Sequence, residues 1–235
     1  ASENQVDKDA MKKPITKIEK DRVIVLFISF LLVIVVWGAF EQAGGLMNIY
    51  AKEKTNRMLM GWEIPASWFQ SLNAMFIIFL GTSVAAYWAK KKLQGKIATS
   101  LYKMILGLII MGTGFFFMSA ASAQFQSDGS SAMYWLVLAY LFHTVGELCI
   151  SPVALSYITK LAPLKYGSLM MGIYFAMTGF GNKLAGLLGE SAEGLGEFTV
   201  FTGIAVFCVA FGLLVMLFRK KLETLTHGAE DDEHE

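Results

Sequence analysis

His143, Glu147 and Ser151 recur at four-residue intervals, a spacing that puts all three on one face of a helix. Glu147 interrupts an otherwise uncharged stretch between Asp128 and Lys160, and Glu41 closes another that begins after Arg22. If these stretches lie in hydrocarbon, each carboxylate is expensive and reads as functional. Neither has an obvious basic partner in the chain. Lys183 is the one candidate, but it lies about six residues from the outer end of its stretch, where snorkelling to the surface serves it as well as pairing. An unpaired carboxylate there stays protonated or finds its cation elsewhere: a substrate cation, a proton, or a basic residue of another polypeptide. The alternative is an acid satisfied by interhelical hydrogen bonds alone, and for His143 a structural histidine. Gln70, Ser71 and Asn73 add polar groups in a second stretch. The Asn73 amide can both donate to and accept from a peptide-like ligand, although an interhelical bond explains it too. Gln42, next to Glu41, offers another polar contact.

The elements that carry these residues are legible from charge and hydropathy. The chain has 235 residues, of which 55% are hydrophobic and 17% charged, with a mean hydropathy of +0.51. Soluble proteins carry about a quarter charged residues. Here residues 23–40, 64–89, 104–127, 166–182 and 198–218 contain no Asp, Glu, Lys or Arg, and residues 129–159 contain only Glu147. A spanning helix needs about 20 mostly apolar residues, so six spans fit, expected at 23–50, 65–89, 97–124, 132–162, 167–188 and 198–219. The fold expected is an all-α membrane protein, six transmembrane helices in one bundle. A charged linker (1–22) precedes the bundle (23–219) and an acidic tail (220–235) follows it. Alternating the loops places sixteen Lys and Arg on one side and three on the other. Positive loops stay in the cytoplasm, so both termini are expected there and the Glu190/Glu193/Glu197 loop outside. The polar opening is not expected to act as a cleavable signal peptide.

The first and fourth spans exceed a bilayer's thickness and should tilt, kink or project; Pro152 is the expected bend in the fourth. Glu147 falls about 22 Å along that helix, near the midplane. Gly181, Ala185 and Gly189 form a small-residue ridge on the fifth span that lets a neighbouring helix approach closely, either as static packing or as a surface on which helices rock. Trp37, Trp68, Trp88, Tyr134 and Trp135 sit mostly near span ends, where interfacial belts account for them. Cys149 and Cys208 read as buried, inert thiols. Enzymatic chemistry lacks its motifs. There is no HExxH for zinc, no GxSxG elbow and no GxxxxGK[ST] phosphate loop, so no metal, no cofactor and no nucleic-acid partner is expected.

Three strings are more specific: FEQAGGLMNIYA from Phe40 to Ala51, HTVGELCISPVALSYITKLAP from His143 to Pro163, and MMGIYFAMTGFGNKLAG from Met170 to Gly186. Together they resemble the C-terminal six-helix half of the proton-coupled oligopeptide transporters, a branch of the major facilitator superfamily. The resemblance runs from about Val23 to Phe218, and the short connection over Phe125–Ala132 is similar to bacterial members. It implies symport of di- and tripeptides with protons, the proton being the only coupling ion, by rocking two bundles around a central site in the cell membrane. Glu147 then contacts the peptide amino terminus and couples protons, with His143 beside it. Asn73 and Ser151 face substrate, and Glu41 pairs with an arginine of the other bundle at the outer gate. Tyr174 stands where the resemblance implies a tryptophan lining a side-chain pocket. The N-terminal bundle, which would bring a lysine opposite the glutamate and tyrosines facing the peptide, is the implied partner, and the chain alone is expected to be inactive. Two alternatives remain at this stage: transport of another small solute such as nitrate, and a non-transporting membrane scaffold or receptor subunit.

Overall fold

The structure is a computed structural model that describes residues 14–94 and 98–230. Helix α1 (Lys17–Phe40) runs into a 3-10 turn at Glu41–Ala43 and, after Gly44 and Gly45, into α2 (Leu46–Lys54); together they form the first span. The other five spans are α3 (Trp68–Leu93), α4 (Ser100–Asp128), α5 (Met133–Leu161), α6 (Gly167–Leu195) and α7 (Glu197–Thr224). The first, α3, α4, α5 and α7 are each long and apolar enough to cross a membrane. Helix α6 has the length, 29 residues, but its seven glycines, with Asn182, Lys183, Glu190 and Glu193, lower its hydropathy. The six spans form one bundle, as expected.

Charge-free runs mark hydrocarbon, whereas capping marks where a helix begins, and the two differ here. Thr16 and Glu19 form a capping box: the Thr16 amide donates to Glu19 Oε2 at 2.7 Å and the Glu19 amide to Thr16 Oγ1 at 3.2 Å. Helix α1 therefore starts six residues before the expected 23, inside the segment read as linker. At the other end α7 carries on past 219 to Thr224. The expected loop through Glu190, Glu193 and Glu197 is absent: α6 continues to Leu195 and α7 begins at Glu197, with Gly196 alone between them. Gly196 makes that joint at φ 79°, ψ 148°, a conformation open essentially only to glycine. Helix α5 passes through Pro152 as one element of 29 residues. Residues 1–13 of the expected linker and 231–235 of the expected acidic tail lie outside the described residues.

Helix α4 is the centre of the bundle, packed between α5 and α7; α1 packs against α6, and α3 lies on α5. Lipid tails are as apolar as leucine, so close backbone approach has to supply much of the association energy. The contacts show it. A Cβ on Gly107 of α4 would sit 2.6 Å from the carbonyl oxygen of Gly146 on α5, and one on Gly146 would sit 2.6 Å from that of Gly107. On the opposite side a Cβ on Gly112 would meet Cys208 Cβ of α7 at 2.7 Å. Helices α1 and α6 meet the same way, a Gly181 Cβ falling 2.8 Å from Trp37 Cβ.

Short strands join the helices at the end of the bundle opposite the described termini, an addition to the expected all-α fold. Thr55–Asn56 pairs in parallel with Ser131–Ala132, and Met58–Leu59 forms a hairpin with Trp62–Glu63. Its turn residues, Met60 and Gly61, have φ of 50° and 85°, as a type I′ turn requires. Lys54 pairs with Glu197, and Arg57 with Glu63 at 2.5 Å, tying this end together.

Substituting Gly107→Val should force α4 and α5 apart at a backbone contact, costing about 1–3 kcal/mol as overpacking does. A thermal unfolding midpoint lowered by several degrees is expected. Gly189→Val is the control, since nothing lies within 4 Å of a Cβ there. Equal midpoints for the two variants would show that the Gly107 contact does not hold the bundle.

Candidate functional site

Midway along α5, Glu147 faces α1, α3 and α6. It lines a narrow pocket with Val33, Val36, Trp37 and Phe40 of α1, Met111 of α4, Ile150 and Ser151 of α5, and Tyr174 of α6. The free space is only about 10 Å3, roughly one water's worth. Asn73 reaches in from α3: its Nδ2 donates to Glu147 Oε2 at 2.8 Å and to Thr144 Oγ1 at 3.1 Å. Thr144 in turn donates to the carbonyl of Tyr140 at 2.7 Å. A carboxylate offers about four acceptor positions, so Asn73 leaves capacity on Glu147. No Lys, Arg or His lies at hydrogen-bonding or ion-pairing distance from Glu147 among the described residues. Chemically, the arrangement is a half-buried acid with an amide donor on one side and aromatic walls on the other. It can take a proton or an organic ammonium group.

The structure brings together Glu147, Asn73, Ser151 and Tyr174, and separates His143 from them. His143 is 1% exposed, its ring 4.4 Å from that of Phe115, with neither ring nitrogen partnered in the described structure. The reason is helical drift. Four residues advance about 400°, so each i to i+4 step turns the face by about 40°. Ser151 thus reaches the α1–α6 side while His143 is turned against α4, where Gly114 leaves the ring its room. A role for His143 beside Glu147 is therefore corrected to packing inside the bundle.

Two groups read otherwise from sequence also change place. Trp37 and Phe40, with ring centroids 5.5 Å apart, wall the Glu147 pocket, although Trp37 had been assigned to an interfacial belt. The available signal was that Trp37 lies one turn before Glu41. Gln42 is 1% exposed and clamps helices: its Nε2 donates to the carbonyls of Gly38 at 3.3 Å and Ala185 at 2.9 Å. Gly181 and Ala185 thus both meet α1, whereas Gly189 departs from the expected packing ridge and lines an open cavity of about 530 Å3 at the end of the bundle opposite the described termini. Glu41, Asn182, Glu190 and Glu193 line the same cavity. Glu41 is exposed on its 3-10 turn and has no ion pair among the described residues. Lys183 is exposed on α6 and pairs with neither span carboxylate. Gln70 and Ser71 are exposed on α3. Cys149 and Cys208 are buried free thiols.

Comparison with known proteins matches this geometry to one family. The family model described as PTR2, POT family, matches residues 3–194. A peptide transporter of Yersinia enterocolitica, YePEPT, is 35% identical over 223 residues, covering 90% of this chain and 43% of the relative. A di-/tripeptide transporter of Lactococcus lactis is 27% identical, covering 88% of this chain and 42% of its own. Among solved structures, a peptide transporter POT in complex with sulfate superposes with a TM-score of 0.84 at 29% identity, over 92% of this chain and 43% of that one. The chain thus spans less than half the length of the relatives it matches. With six packed spans and the match over residues 3–194, the chain belongs to the POT family of transporters.

Proposed function

We propose that this chain is the C-terminal half of a proton-coupled symporter of di- and tripeptides that works by alternating access and needs an N-terminal six-helix bundle to do so. The observation that supports it best is Glu147, a span carboxylate held by an amide and met by no cation among the described residues. The relatives' names support peptides as the substrate class, and this chain's coverage of 43% and 42% of their length is in keeping with a second bundle. A non-transporting scaffold predicts both span acids buried and satisfied within the chain, whereas Glu147 is half-buried with a single amide donor and Glu41 is exposed on its turn.

The cycle rests on competition for Glu147. Facing outward, the carboxylate carries a proton or binds the ammonium end of a peptide, with Asn73 holding its second oxygen. Trp37, Phe40 and Tyr174 enclose the peptide's apolar part. Facing inward, loss of the proton lets a cation of the opposite bundle replace the peptide. Glu41, at the rim of the outer cavity, closes that end by pairing across the bundles. The lysine-rich ends of the helices lie in the cytoplasm, by the sixteen-to-three distribution of basic residues.

Two experiments on the complete protein test this reading. In liposomes, an inward proton gradient should drive accumulation of labelled dialanine. Glu147→Gln should lower it about 10- to 100-fold, the worth of a hydrogen bond to a charged group. Asn73→Ala should raise the apparent KM several-fold with less effect on the maximal rate. Native accumulation by Glu147→Gln would remove the acid from the mechanism, and absent dialanine uptake by folded protein would remove peptides as the cargo. In intact cells, a membrane-impermeant maleimide should label Asp128→Cys directly but Leu164→Cys, a site 91% exposed, only after permeabilisation. The native thiols, 3% and 1% exposed, give little background, and the opposite pattern would invert the topology.

A further inference from the structure

Large apolar side chains crowd the hairpin that connects α2 to α3. Met58, Leu59, Trp62 and Trp68 are 51–58% exposed, and Met60 at the turn is fully exposed. In water a contiguous patch of this kind is costly and marks a surface that meets something. The segment is not slack. The Ile64 amide donates to the carbonyl of Arg57 at 2.9 Å, Arg57 pairs with Glu63, and Ile64 and Ala66 pack against the core. Met60 turns the chain at φ 50°, a left-handed conformation that asparagine and glycine enter cheaply and methionine does not. The chain thus accepts strain to hold an apolar side chain at the tip.

The ribbon has two unlike faces. Leu59 is registered opposite Trp62 and Met58 opposite Glu63, and residues paired directly across two strands share a face. Leu59 and Trp62 therefore form one face, extended by Trp68, whose ring centre lies 5.2 Å from that of Trp62. The other face carries Met58 with the Glu63 carboxylate, which Arg57 neutralises. An apolar face with tryptophans at its edge and a polar back is the pattern of a segment lying in a membrane interface.

Two occupants could cover that face, a second bundle or lipid, and helix α3 favours lipid. Trp68, Leu72, Met75 and Phe79 follow at steps of four, three and four residues, which makes them one stripe along the helix. Met75 and Phe79 are exposed like Trp68, so the hairpin face continues the apolar stripe of the span. Asn73, which reaches Glu147, is five residues from Trp68 and so about 140° around the helix from it. A bundle that covers Glu147 lies on the Asn73 side and leaves the Trp68 stripe to the bilayer. We infer that the hairpin is a membrane anchor whose Leu59, Trp62 and Met60 side chains sit in the headgroup–acyl boundary of the leaflet at that end. With Arg57 and Glu63 paired, the contact is with the apolar chains and needs no anionic lipid. Through Trp68 it fixes the height of α3, the span that carries Asn73. The inference requires only that the helices span a membrane, so its failure would leave the peptide reading untouched.

The test uses the complete protein in phosphatidylcholine nanodiscs, with the environment-sensitive fluorophore NBD attached at Met60→Cys and the unmutated protein as the labelling background. Emission should be blue-shifted and several-fold less quenched by aqueous iodide than at Asp128→Cys, an exposed site at the same end of the bundle. Lipids carrying a nitroxide near the headgroup should quench it more than lipids carrying one at the chain end, as a depth of about 5–10 Å requires. Iodide quenching equal to that at Asp128→Cys would overturn the anchor. A probe shielded from iodide yet quenched by neither nitroxide lipid would overturn the lipid and assign the hairpin to a protein partner. If Met60→Cys does not fold, Leu59→Cys, on the same apolar face, decides by the same readings.

Discussion

The backbone contact between Gly107 and Gly146 decides where Glu147 points. Neighbouring residues on a helix are about 100° apart. Once the Gly146 carbonyl lies against α4, the next side chain must turn away, toward α1, α3 and α6. The stripe Ala139, His143, Gly146 and Ile150 is buried, and the stripe beside it contains Tyr140, Thr144, Glu147 and Ser151. A larger residue at 107 or 146 would move the acid as well as loosen the bundle. Stability and site therefore share one contact, and the same contact explains why His143 packs while Glu147 faces the pocket.

Around the acid, each polar group is held by another helix. Asn73 brings α3 to Glu147 and Thr144; Gln42 brings α6 to α1. Such bonds are worth about 0.6–2 kcal/mol each in a membrane setting, where competing partners exist in the unfolded state too. They set orientation more than they add stability. Helix α3, whose apolar window has no buried residue, depends on its packing against α5 and on the Asn73 bonds. Its apolar window is the least buried of the five candidate spans, and it carries a ligand of the acid.

Much of this was legible in the sequence, for a physical reason. Hydrocarbon penalises charge so strongly that the six spans, and the two acids within them, stand out without any structural help. Asn73, Ser151 and Tyr174 lie beside Glu147 in the structure. What escaped has its own causes. An i, i+4, i+8 stripe drifts by about 80°, so His143 could not be assigned to the Glu147 side from spacing alone. Trp37 fits a belt or a pocket equally by composition, since residue type alone does not place it along its span. Two-residue strands such as Thr55–Asn56 have no periodicity to detect. The Gly196 joint was hidden because Glu190 and Glu193 look like loop residues while their helix simply emerges into water.

Exposed apolar surface carries less weight in this setting than it would in water. Ile78 and Phe79 of α3 are 74% and 68% exposed, and Phe175 and Phe180 of α6 are both 61% exposed. On a soluble protein such a face would signal a missing partner; in a bilayer, lipid covers it without penalty. The polar residues carry the distinction instead. Lipid cannot supply the cation that Glu147 lacks, nor can it fill an outer cavity rimmed by Glu41, Glu190 and Glu193. Glu147 is the costly one, a half-buried acid with an amide donor and no cation among the described residues. It is therefore the polar residues of the spans, and not the greasy faces, that carry the functional signal.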